Sequence, residues 1–103
     1  MSRCRVDLDS KIKSILPKHF NVYYQPPSDI SFPCLIYEKS DIESIYADNI
    51  KYRNMTKYTI TVIGTEPDND HIINALLSLP YTSFDRRYKT NENLYHDVII
   101  IYW

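Results

Sequence analysis

Apolar side chains recur at helical spacing at the start of the chain, where Leu8, Ile12, Ile15 and Leu16 lie on one face and Phe20 continues the stripe. This predicts an amphipathic helix from about Arg5 to Phe20, with Pro17 working against its last turn because it lacks an N–H. "NVYY" follows as a short strand stopped by Pro26-Pro27, and "QPPSDISFP" has the composition of a loop. "CLIYEK" resumes strand character. "TKYTITVIG" gives the clearest alternation, with Tyr58, Ile60 and Val62 on one face and Lys57, Thr59 and Thr61 on the other. The segment between these two strands reads two ways. Ile42, Ile45, Tyr46 and Ile50 would share a helical face, while Asp48-Asn49 suits the turn of a long hairpin. The hairpin is the reading adopted, its apolar side chains projecting beyond a compact core toward a partner.

"TEPDND" stops the strand and opens a second helix, with Asp68 or Asn69 expected to cap its first N–H groups. Acidic side chains at that end suit the helix dipole. Ile72, Ile73, Leu76, Leu77 and Leu79 form its predicted buried stripe, and Pro80 ends it. "YTSFDRRY", a polar turn "KTNEN" and "LYHDVIIIYW" complete the chain. In the last strand Leu94, His96, Val98 and Ile100 alternate with Tyr95, Asp97, Ile99 and Ile101. Only its second half is apolar on both faces, and only that half is expected to be covered on both sides. The predicted fold class is α+β, a mainly antiparallel sheet packed by two helices in the order α-β-β-β-α-β-β. Residues 1–103 form one domain, with hairpins rather than crossovers joining the strands.

Composition narrows the chemistry. Net charge is −1 and the charges are interspersed, so no basic stripe marks a nucleic-acid surface. Lys51, Tyr52 and Arg53 are basic and aromatic together, but Asp41 and Asp48 lie close by, which favours a solvated segment. The longest fully apolar run, "VIIIYW", is far short of the ~18 residues that cross a bilayer. No apolar leader follows the first Met, so Cys4 and Cys34 are expected as free thiols in a reducing cytoplasm. The single glycine, Gly64, excludes a glycine-rich phosphate loop.

The acidic run "EPDNDH" carries Glu66, Asp68, Asp70 and His71, but lacks the Gly and Glu that a calcium loop needs, and a helix start accounts for it. His71 and His96 without a Cys or Glu at ligand spacing are a weak metal signal. Pro67-Asp68 resembles the opening of a nuclease motif, yet no acid-spacer-Lys follows at the spacing required. Neither cysteine has a neighbouring His to activate it. The expectation is a protein that is not an enzyme, with no cofactor and no metal. "FDRRY" and "LYHD" flank the last turn. Their charges predict salt bridges, Asp85 with Arg86 or Arg87 and His96 with Asp97, across the hairpin or between subunits.

The C-terminal two-thirds, about residues 33 to 103, resembles a family of small proteins of long-tailed bacteriophages, the tail terminator or tail-completion group. The resemblance rests on "YTITVIGTEPDND", Leu79-Pro80-Tyr81, Ser83-Phe84-Asp85-Arg86 with Tyr88, Asn93-Leu94 and His96-Asp97 before an aromatic strand. Arg87 departs from the family pattern, where the position is variable and often His-like. The resemblance implies a virion protein, assembled in the host cytoplasm, that closes into a ring, usually a hexamer. Such a ring caps the tail tube, meets the tube protein and the head–tail connector or adaptor, and has a lumen wide enough for genome DNA. It binds no membrane and no specific nucleic-acid sequence. Under this reading Asp85, Arg86, Arg87, Tyr88, His96 and Asp97 orient subunits or hold the final hairpin in register. Ile42, Ile45, Tyr46, Ile50, Tyr52 and Arg53 would reach a neighbour. The alternatives are a head-side neck adaptor of the same virion, a small nucleic-acid-binding accessory protein, or a host-encoded binding module.

Overall fold

Leu8 and Ile12 lie fully buried on one side of helix α1, Arg5–Ile15, and a Lys13–Asp9 ion pair one turn apart supports its outer side. The helix is shorter than its apolar stripe. Leu16 N–H still reaches Ile12 O, but Pro17 has no N–H to donate, and Phe20 enters the core from a turn instead. The computed structural model of the protein describes residues 5–25, 28–40, 56–90 and 94–103. The predicted hairpin with Ile42, Ile45, Tyr46, Ile50, Tyr52 and Arg53 lies outside the described residues, as does Cys4.

The strands are β1 (Asn21–Tyr24), β2 (Cys34–Lys39), β3 (Lys57–Gly64), β4 (Thr82–Lys89) and β5 (Tyr95–Tyr102), with helix α2 (Glu66–Leu77) between β3 and β4. The fold is α+β in the predicted order, a five-stranded sheet arranged β1-β2-β3-β5-β4. Connections differ from the expectation of hairpins alone. β1 and β2 run parallel, and β5 lies between β3 and β4, antiparallel to both. The β3-α2-β4 segment is therefore a split β-α-β crossover into which β5 inserts. A helix joining two strands must cross over when those strands are parallel, and alternation within single strands cannot report which neighbour each will take.

Both helices pack on the face of the sheet that carries Leu35, Tyr37, Tyr58, Ile60, Val62, Ile99 and Ile101. Hydrogen-bonded neighbours place Cys34, Ile36, Thr61, Ile63, His96, Val98, Ile100 and Tyr88 on the opposite, far face. There Cys34, Ile63 and Val98 are buried and Ile100 is half-buried. On α2 the stripe runs through Asn69, Ile72, Ile73 and Leu76. Leu77 is exposed and Leu79 is only partly buried, so the buried stripe of the helix ends at Leu76. The N-cap is Thr65, which makes no side-chain capping bond. Asp68 instead meets His19 at 3.2 Å and Asn69 turns into the core, so neither caps the helix. Tyr81 turns the chain into β4 with a left-handed φ of 57°, and its carbonyl accepts from Tyr102 N–H at 3.0 Å.

Candidate functional site

Asn69 and Asp97 are polar residues with no solvent exposure, and they meet under the N-terminal turns of α2. The two N–H groups of Asn69 Nδ2 are shared among Asp97 Oδ2 at 2.8 Å, Tyr95 O at 2.9 Å and Val62 O at 3.2 Å. Arg87, opposite Asp97 in the β4–β5 ladder, donates from Nε to Asp97 Oδ1 at 2.5 Å and from Nη2 to Oδ2 at 3.3 Å. The rest of its guanidinium reaches Asp70 at 2.5 Å and Glu66 at 3.2 Å on α2. Hydrogen bonds to Asp97 and then Asp70 raise its pKa further above the ordinary arginine value, so it stays charged. One arginine thus clips β4, β5 and α2 together, and the buried carboxylate is paired as such a group must be. The Arg87 guanidinium also lies 5.2 Å from the centre of the Tyr95 ring.

Gly64 completes this corner. A methyl group there would come within 2.9 Å of Asn69 Oδ1, 3.0 Å of Phe20 Cζ and 3.4 Å of Pro33 Cβ. The one glycine of the chain therefore sits where a side chain would collide with the network.

A second polar cluster ties α1 to the sheet. Tyr37 donates to Asp9 Oδ1 at 2.6 Å and accepts from Arg5 at 3.3 Å, while Arg5 lies 4.2 Å over the Tyr24 ring. Burial, and then the bond to Asp9, pushes the Tyr37 phenol up to about 12, so it remains a donor. Cys34 is buried as well, and burial raises its thiol to about 11, which describes a core residue rather than a nucleophile.

The charged pairs predicted at the last hairpin form in part. Arg86 meets Asp85 at 2.6 Å, whereas Arg87 turns to Asp97. His96 does not pair with Asp97, because neighbours in a strand point to opposite faces. It stacks on Tyr88 across the ladder, ring centres 4.7 Å apart and 16° from parallel. His71 lies on α2, so the sheet separates it from His96. Among the described residues no group of three or more His, Cys, Asp or Glu side chains is placed to hold a metal ion.

The sequence marks Gly64 only as the lone glycine and Asn69 only as a candidate helix cap, and it does not single out Tyr37. The signal for Asn69 was present, since a polar residue three and four positions before Ile72 and Ile73 falls on their helical face. Its acidic neighbours suit a helix cap equally well.

Desolvation holds the His96 imidazole below its ordinary pKa of about 6.5, against a smaller upward pull from the Asp97 charge. Between that value and the lowered one, the unfolded chain binds a proton that the folded chain does not. Stability is therefore expected to fall as pH drops through this window, and His96→Gln should flatten the slope. Denaturant melts at a series of pH values, alongside NMR titration of the ring, read this out. An unchanged slope in the variant would remove His96 from the acid response.

No protein-family model, no curated protein and no solved structure matches this chain.

Proposed function

We propose that the protein is a structural component of a long-tailed phage virion, a tail terminator that closes into a ring on the end of the tail tube and joins it to the head connector. The reading is carried by the way the residues of the resemblance divide in the fold. Gly64, Asn69 and Asp97 lie in the core, while Phe84, Asp85, Arg86 and Tyr88 stand exposed along β4, a strand at the edge of the sheet. A scaffold fixed by a buried network that presents aromatic and charged side chains on one rim has the composition of a contact surface.

The test is addition of the purified protein to isolated tail tubes, followed by electron microscopy. Ring-shaped caps that stop further tube growth, and that Arg86→Ala weakens without unfolding the chain, are the expected result. Tubes that remain bare and continue to grow, with the protein still monomeric at high concentration, would defeat the reading. Binding to the head connector alone would reassign it to the neck.

A further inference from the structure

Asp85 and Arg86 are neighbours in a strand, yet their side chains form an ion pair. Regular strand geometry sends neighbouring side chains to opposite faces, so this pairing needs an interruption. The interruption is the β-bulge between Phe84 and Arg86, which leaves Asp85 without a partner on β5. Thr82, Phe84, Arg87 and Lys89 then point to the helix side, since they face Ile101, Ile99, Asp97 and Tyr95. Ser83, Arg86 and Tyr88 point to the far side, facing Ile100, Val98 and His96.

The bulge falls near the middle of an exposed edge strand, at its fourth residue. Among the described residues no strand lies beyond β4. Phe84 and Tyr88 are 44% and 45% exposed there. An edge with these features is open to one kind of partner more than to others. If alternation were unbroken, two antiparallel copies of this strand could match faces only with a two-fold axis through a residue. That register sets Asp85 against Asp85, or Arg86 against Arg86, and like charges directly opposite repel. The inserted residue shifts the alternation by one, so the axis can pass between Asp85 and Arg86 instead. Each Asp85 then meets the Arg86 of the other copy. Phe84 meets Arg87 on the helix side, Ser83 meets Tyr88 on the far side, and Thr82 meets Lys89. Every pair shares a face, and the bulges lie opposite one another with equal residue counts on both strands.

We propose that β4 is a self-complementary docking edge on which a second copy of this chain pairs antiparallel about a two-fold axis, joining two five-stranded sheets into ten strands. The bulge and charges that protect an edge against indiscriminate pairing leave this one register open. The contact goes beyond the ring reading. An isologous pair joins copies two by two, whereas a ring needs a head-to-tail seam, so the pair is a state of the free chain and must part before β4 takes a place in a ring.

The experiment is sedimentation and light scattering of the wild-type chain, Asp85→Arg and Arg86→Asp over a concentration series, then of the two variants mixed in equal amounts. The wild type is expected to pass from monomer to dimer. Each variant opposes like charges to itself, and its dimer should be at least about tenfold weaker, with an unchanged thermal melt. In the mixture each reversed charge meets its opposite, so native mass spectrometry should find a dimer containing one chain of each. A wild type that stays monomeric overturns the proposal. So does a pair of variants that fails to combine. A six-subunit ring indifferent to both reversals, or broken by them and not restored by mixing, overturns it as well, while leaving the ring reading intact.

Discussion

Replacing Arg87 with Ala is expected to remove about 3 to 5 kcal/mol of unfolding free energy. Arg87 supplies the compensating charge for an Asp97 carboxylate with no solvent exposure, through bonds of 2.5 and 3.3 Å. Without it, Asp97 keeps only the Asn69 amide, and a buried charge with one neutral donor is among the costliest defects a single substitution makes. A loss of this size is a large share of the 5 to 15 kcal/mol that holds an ordinary domain folded, by about the usual reckoning. The exposed ends of the same guanidinium matter far less, and Glu66→Gln or Asp70→Asn should each cost below about 1 kcal/mol. Urea unfolding followed by the fluorescence of buried Trp103, the one tryptophan of the chain, measures all three. The double variant Arg87→Ala, Asp97→Asn should lose less than the sum of its parts by about 1 kcal/mol or more. A cost for Arg87→Ala near that of the surface changes would show that Asp97 does not depend on it.

Gly64→Ala is the second large effect, expected at about 1 to 3 kcal/mol. The cause is space rather than backbone conformation. The added methyl would sit 2.9 Å from Asn69 Oδ1 and 3.0 Å from the Phe20 ring, closer than carbon contacts allow. Asn69 cannot swing aside without releasing Val62, Tyr95 and Asp97 from its amide nitrogen. Phe20 is the softer neighbour, so Phe20→Leu in the same chain should recover part of the loss. A thermal melt no lower than that of the wild type would mean the corner has room that the contact distances deny.

These two residues also show how far the sequence could be read. The strand at Lys57–Gly64 follows from alternation that it carries within itself, and the one at Cys34–Lys39 from the strand character of its own short run. The length of α1 depends on whether Pro17 or the apolar stripe prevails, and the missing N–H at Pro17 prevails. The network is harder to see. Asp97 lies inside an apolar strand, but nothing in its neighbourhood along the chain names Arg87 or Asn69 as partners, since register creates both contacts. The same holds for Tyr37 and Asp9, which are 28 positions apart. At β4 the run Phe84-Asp85-Arg86-Arg87 advertised charge but not its division. One arginine turns inward to a carboxylate and the other stays outside, because successive residues of a strand point to opposite faces and the bulge before them decides which face each takes.

The place of β5 in the sheet has a consequence for how the chain acquires its fold. It comes last in sequence among the described strands, yet it lies between β3 and β4 and supplies Asp97, Ile99 and Ile101 to the core. Until it docks, β4 has no described strand beside it and Arg87 lacks its buried carboxylate. A nascent chain on the ribosome can form α1 and the β2–β3 pair early, but closure of the sheet must wait for residues 95–102 to emerge. Sheets completed by such non-local pairing fold slowly and expose unpaired edges meanwhile. The interval before β5 docks is when this protein would most depend on chaperones, and fusions that hold its C-terminal strand back would lengthen that interval.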